Sequence, residues 1–206
     1  LLMVNTILKN NRKIRNKVNE VLAEVDKEFK GKVDVKHLID VLYENGGIEK
    51  VKNAVTQPFK ELMVATQPGC HLTKPKRLHF GLFRGFTALD ELVAATGAES
   101  VDYERKEMCC GGPLRDINDD LARQVAKQKL INIRNAKVDC IVTVCPFCYI
   151  ELDLGQLEIK RHFNEEFNLP VLHFIELLRL AMGMKLTNAE VKTHKIPITG
   201  IIKEHM

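Results

Sequence analysis

Five of the six cysteines in this 206-residue chain stand in one order: Cys70 alone, the adjacent pair Cys109-Cys110 followed by Gly111-Gly112, then Cys145-Pro146-Phe147-Cys148. Thiolates in this number point to a soft metal centre, because cysteine sulfur suits iron–sulfur clusters, zinc and copper(I). A fold that uses them must bring three separate joints of the chain to one place. Disulfide frameworks belong to small secreted domains. The length, the 28% of charged residues and the lack of a recognisable signal peptide or spanning segment argue against one here. Structural zinc takes four ligands in a tetrahedron, commonly from two Cys-x-x-Cys knuckles. This chain has one knuckle and a dipeptide. Adjacent residues make an awkward chelate on one ion, whereas they can serve neighbouring irons, so zinc is the less favoured alternative to iron–sulfur. Free thiols in this number fit a reducing cytoplasm.

The rest of the composition is that of a globular chain, with 45% apolar residues. The net charge of +4, from 31 basic and 27 acidic residues, is too mild to argue for nucleic acid. The first segment reads as helix, with Val4, Ile7, Leu8, Ile14, Val18, Val21, Leu22, Val25 and Phe29 recurring at helical steps and Gly31 punctuating its end. Asp34 is placed to cap a helix holding Leu38, Ile39, Val41 and Leu42, and a short helix over 48–55 stops before Pro58.

After Pro58 the texture changes to short apolar runs alternating with helical periods. Strands are expected over 61–66, 98–103, 140–144 and 169–173. Helices are expected over 88–96 behind Thr87, over 118–136 with Leu121, Val125, Leu130 and Ile133 inward, over 147–163 behind Pro146, and over 175–184. This alternation predicts an α/β fold, a mainly parallel sheet flanked by helices and preceded by a helical segment. Three parts are expected: a helical segment over 1–57, an iron–sulfur domain over 58–184 and a tail over 185–206 with a capping box at Thr187-Asn-Ala-Glu190. Sites in such sheets lie beyond the carboxyl ends of the strands. Cys70 and Cys145 both fall there on this reading, and the vicinal pair could follow the second strand.

The order Cys…Cys-Cys-Gly…Cys-Pro-x-Cys resembles the cysteine-rich CCG domain, found in the B subunit of heterodisulfide reductase and in several flavin- or quinone-linked oxidoreductases. The stretch from Cys145 to Gln156 looks like the heterodisulfide reductase version, as do Pro68-Gly69-Cys70-His71 and Leu89-Asp90-Glu91-Leu92 running into Thr96-Gly97-Ala98. The resemblance covers nearly the whole chain. It implies a noncubane [4Fe-4S] cluster held by Cys70, Cys109, Cys110, Cys145 and Cys148. It further implies reduction of the coenzyme M–coenzyme B heterodisulfide to two thiols in methanogenesis, in complex with heterodisulfide reductase subunits A and C and an electron-supplying hydrogenase or formate dehydrogenase. The B subunit in that family has two such motifs and this chain has one. Leu1–Asn5 resembles the segment just after the Cys-x-x-Cys of the first copy, so the chain is expected to be the C-terminal portion.

Within that chemistry His71, next to a ligand position, is a candidate proton donor to a departing thiolate. Lys74, Lys76 and Arg77 are candidates to receive the sulfonate, phosphate and carboxylate of the substrate. Cys140 lies inside an apolar strand five residues before Cys145, and alternation sends it to the opposite face, where it reads as a small hydrophobe. No Gly-rich phosphate loop, nucleotide fingerprint or serine triad is present, so flavin or hydrogenase chemistry would belong to partner subunits. Two alternatives remain at this point: an electron-transfer module of a glycolate, lactate or glycerol-phosphate oxidation system, and a zinc-bound scaffold.

Overall fold

The computed structural model describes residues 2–44, 46–73 and 87–204. Four strands, β1 (Met63–Gln67), β2 (Glu99–Val101), β3 (Cys140–Thr143) and β4 (Val171–His173), form one sheet in the order β2-β1-β3-β4. Every pairing is parallel, with Met63 opposite Glu99, Val64 opposite Cys140 and Ile141 opposite Val171. The central strands β1 and β3 are short and almost wholly buried on both faces, as expected where helices cover a parallel sheet on each side, while the edge strand β2, Glu-Ser-Val, is partly exposed.

The helices in chain order are α1 (Leu2–Asn10), α2 (Arg12–Ala23), α3 (Leu38–Glu44), α4 (Gly47–Ala54), the short α5 (Cys70–Thr73), α6 (Thr87–Ala95), α7 (Asp119–Asn135), α8 (Pro146–Phe163), α9 (Phe174–Ala181), α10 (Asn188–Thr193) and α11 (Thr199–Glu204). On one face Val64, Cys140, Val142 and Leu172 pack against residues of α3, α4, α6 and α9. On the other, Ala65, Ile141 and Val171 pack against α7 and α8. The two-residue period of the strands thus sorts side chains between two cores. Cys140 goes to the first, away from Cys110 and Cys148 in the second.

Several expectations are corrected. The first helical segment is broken at Asn11, whose Oδ1 accepts from the Ile14 N–H at 3.0 Å and so caps a new helix. The second helix ends at Ala23, well short of Gly31. Its apolar positions do not face a core: Ile14, Val21 and Val25 are exposed, as are Val4 and Ile7. Asp34 caps nothing. It pairs with Lys9, and the Ile39 N–H at the start of α3 donates to His37 Nδ1 at 3.2 Å. In α7 the inward face is Ala122, Ala126, Lys129, Leu130 and Ile133, while Leu121 is 43% exposed. Small residues win those positions because the helix lies close against the neighbouring turn.

The C-terminal segment is tied back onto the sheet layers. Thr187 and Glu190 form the expected capping box. Buried Asp153 accepts from the Lys195 and Ile196 N–H groups at 2.8 and 2.9 Å, and Ile196, Ile198 and Ile201 are buried. His194 is buried against Val171 O at 2.9 Å and Glu176 Oε1 at 3.2 Å. His173 caps α9 in a second capping box with Glu176.

Candidate iron–sulfur site

The carboxyl ends of the strands deliver the cysteines. β1 ends at Gln67, and Pro68-Gly69 turns the chain so that Cys70 opens α5. Gly69 has a φ of +85°, and a Cβ there would stand 2.9 Å from Cys145 Cβ, 3.6 Å from Cys145 Sγ and 3.8 Å from Cys148 Sγ. Only glycine lets the β1 turn lie against the Cys-x-x-Cys in this way. β3 ends at Thr143, whose hydroxyl donates to Gln67 O at 2.8 Å and accepts from the Cys145 N–H at 3.2 Å. These two bonds register the Cys145 turn against the end of β1.

Cys145 is the N-cap of α8 and Pro146 its first residue. The Cys148 thiol, the strongest influence, and the Cys148 and Phe147 N–H groups at the start of the helix bring the Cys145 pKa down to about 6 against the opposing effect of burial. The vicinal pair arrives from β2. After Cys110, Gly111 has a φ of +95°, and a Cβ on it would lie 2.6 Å from Ala122 O, so this turn packs directly on α7. The Gly111 N–H donates to Cys109 Sγ at 3.4 Å.

Cys110 and Cys148 share one buried cluster with Cys145 packed against it. The thiols act on one another's titration: Cys109 and Cys148, with the Gly112 N–H, hold Cys110 well below the ordinary thiol range, Cys109 and Cys148 are pushed up in turn, and Cys70 adds to the rise at Cys109. Cys110 is the hub. Cys110 and Cys148 are buried, and Cys70, Cys109 and Cys145 are partly exposed. Cys140 is separate, and its pKa is raised chiefly by burial. The structure therefore brings the five cysteines of the sequence pattern to one edge of the sheet. Among the described residues no three His, Cys, Asp or Glu side chains close on the position of a single ion. A chain of thiols spread over three turns fits a polynuclear centre better than one tetrahedral zinc. The side chain of His71, with Lys74, Lys76 and Arg77, lies outside the described residues.

The supporting shell contains residues that no motif in the sequence announced. Gln67 Nε2 reaches Cys148 Sγ at 4.0 Å, and its Oε1 accepts from the Tyr103 hydroxyl at 3.1 Å. Arg115, just past the vicinal pair, holds buried Glu151 of α8 through Nε at 2.7 Å and Nη2 at 2.9 Å, and reaches Glu158 at 2.6 Å. This clasp ties the vicinal turn to the Cys-x-x-Cys helix. Lys129 of α7 is wholly buried behind the same cysteines. Along the turn that leads into Cys109 a cavity of about 800 Å³ opens, lined among the described residues by Thr87, Asp90, Ser100, Tyr103, Lys106 and Met108. Asp90 anchors its wall, accepting from Thr66, Ser100 and Lys106.

Comparison with known proteins agrees with this geometry. The profile of the cysteine-rich domain family CCG matches residues 64–153. The B subunit of the ferredoxin/F420H2-dependent CoB-CoM heterodisulfide reductase of Methanosarcina acetivorans is 44% identical over 182 residues, which is 87% of this chain and 60% of the relative. The 8-methylmenaquinol:fumarate reductase membrane anchor subunit of Wolinella succinogenes is 29% identical over 174 residues, 84% of this chain and 61% of that protein. An uncharacterized iron-sulfur protein of Methanocaldococcus jannaschii is 27% identical over 149 residues, 71% of this chain and 27% of that one. A hypothetical protein from Helicobacter pylori, known from a crystal structure, superposes with a TM-score of 0.71 at 17% identity. That match spans 97% of this chain and 36% of the other, and it shows the shared fold. The chain thus spans about 60% of the length of the first two relatives.

Proposed function

From the match of residues 64–153 to the cysteine-rich CCG domain and the similarity to heterodisulfide reductase B subunits, we propose an iron–sulfur subunit that reduces the coenzyme M–coenzyme B heterodisulfide. The observation that carries this reading is the gathering of cysteines beyond three neighbouring strand ends, with Cys110 and Cys148 in one buried cluster and Cys145 packed against it. In it Cys70, Cys109, Cys110, Cys145 and Cys148 would hold one noncubane [4Fe-4S] cluster. When bound, that cluster supplies one-electron transfer to a disulfide sulfur. Full reduction takes two electrons and two protons and yields two thiols. The electrons would come from a hydrogenase or formate dehydrogenase through subunits A and C, in the cytoplasm.

The chain's own part is to position and to shield. The α8 N-terminus favours thiolate at Cys145, the Arg115–Glu151 clasp fixes the two cysteine turns against each other, and the cavity lined by Asp90, Lys106 and Met108 opens along the turn that leads into Cys109. His71 is proposed to deliver a proton to a departing thiolate, and Lys74, Lys76 and Arg77 to receive the anionic ends of the substrate. Among the described residues no helix is long and apolar enough to cross a membrane.

The second reading, an electron carrier without its own substrate, is favoured by the similarity to the Wolinella fumarate reductase subunit. The two separate in electron paramagnetic resonance of the oxidised protein with and without coenzyme M. A signal that changes with the thiol is expected from a substrate-binding centre. An identical signal from iron-loaded protein at saturating thiol would leave only the carrier.

A further inference from the structure

Lys129 is the one fully buried lysine among the described residues, with 0% of its surface exposed. It occupies the apolar stripe of α7 between Ala126 and Ile133, where the helical period calls for a hydrophobe. A buried ammonium is costly unless it is paired. Its visible partners are all neutral: Lys106 O at 2.7 Å, Arg105 O at 3.4 Å, and the face of Tyr103, whose ring centre is 4.7 Å away. Among the described residues no carboxylate pairs with it, and the neighbouring Lys106 is taken by Asp90. Burial drives the ammonium down to about 7, and charge at Cys148, Cys110 and Cys109 opposes that fall.

Geometry connects it to the same group. Tyr103, beneath the ammonium, donates to Gln67 Oε1 at 3.1 Å and to Thr66 O at 2.9 Å, and the other end of the Gln67 amide faces Cys148 Sγ. The Arg105 and Lys106 carbonyls that hold Lys129 belong to the turn that leads into Cys109. A single buried cation therefore touches both the strand-end route to Cys148 and the turn that carries the vicinal pair.

We propose that Lys129 is the internal counter-charge of this centre, offsetting the negative charge of the thiolate-ligated cluster and raising its reduction potential. The inference rests on the iron–sulfur reading above and adds to it the residue that sets the potential. The reason is elementary. Each electron added makes the centre more negative, and a positive charge in a poorly polarisable interior stabilises the reduced form more than the oxidised one. Losing it should make the centre harder to reduce.

The test is a redox titration with dithionite of the anaerobically purified full chain, followed by electron paramagnetic resonance, for wild type, Lys129→Met, Lys129→Gln and Lys129→Arg. The neutral variants should show the reduced-to-oxidised ratio at a fixed potential falling about tenfold or more, which is about 59 mV for a one-electron couple. Lys129→Arg should stay within about threefold of wild type on that scale. Neutral variants that hold iron and titrate with wild type would overturn the proposal. If the neutral variants assemble no cluster while keeping the wild-type circular dichroism melt, and Lys129→Arg does assemble one, the charge is needed by the centre and the proposal stands. If they also lose the folded melt, Lys129 is a packing residue and the proposal fails. Absence of iron from the wild-type protein would overturn both this inference and the reading beneath it, whereas iron with an unmoved potential sinks this one alone.

Discussion

Replacing Arg115 with methionine removes the cation that holds Glu151, a carboxylate 3% exposed in α8, and leaves its charge in the interior. Breaking a buried pair on one side costs about 3–5 kcal/mol. Arg115 itself is 23% exposed, so some water reaches the gap and a loss near 3 kcal/mol is expected at pH 8. The loss should depend on pH in a definite sense. Burial already raises the Glu151 pKa, and Arg115 is what opposes the rise. Without Arg115 the pKa climbs further, so the folded variant takes up a proton that the unfolded chain does not hold, and its relative stability improves as pH falls through that raised value. In the double variant R115M/E151M no buried carboxylate is stranded, because Glu158 is 25% exposed and keeps Arg123 at 3.7 Å, and stability should return to within about 1 kcal/mol of wild type. Urea unfolding of the anaerobically purified proteins at pH 5 and pH 8, read by linear extrapolation, measures all three. A loss under about 1 kcal/mol for R115M, equal losses at the two pH values, or a double variant no better than the single one would refute the reasoning.

Gly69→Ala places a Cβ 2.9 Å from Cys145 Cβ at a positive φ, so the fold should lose about 1–3 kcal/mol from backbone strain and the iron content should fall with it. Thermal melts with iron analysis check this, and full iron in G69A would contradict it. Cys140→Ala should cost only about 0.5–1.5 kcal/mol, as a small cavity in the opposite core, and keep wild-type iron, while Cys148→Ser should lose it. For His194, burial lowers the pKa, but the Glu176 carboxylate and the Val171 carbonyl outweigh it and hold the imidazole above its ordinary value. Its ion pair should therefore contribute fully below about pH 6.5 and fade as pH rises through the raised value. His194→Asn should flatten that slope in denaturation curves taken across the range, and an unchanged slope would assign it elsewhere.

The strands and the joints after them were legible because their signals are local. Short apolar runs ending at Pro68-Gly69 or Pro146 mark strand ends, and alternation alone placed Cys140 on the face away from Cys145. The break at Asn11 was not legible in the apolar period, because a capping residue inside a continuous stripe competes with it and wins by satisfying the Ile14 N–H. Leu121 misled for a different reason: the close approach of Gly111 to Ala122 O rewards alanine at the contact and leaves the larger residue outside. At the site, the cysteine pattern carried the candidate thiols but not their support. Gln67, Tyr103 and Arg115 act across long sequence separations that no short motif records. Lys129 did leave a trace, a charge in the middle of an inward stripe, and its meaning emerges only once the thiols are seen beside it.

The central claim is that these thiols hold an iron–sulfur centre. Anaerobic purification followed by iron, acid-labile sulfide and zinc analysis tests it most directly. The account expects about four irons and four sulfides per chain, with iron lost when Cys110, the hub of the thiol group, is changed to serine. One zinc per chain without iron or sulfide would contradict it and return the cysteines to a structural role.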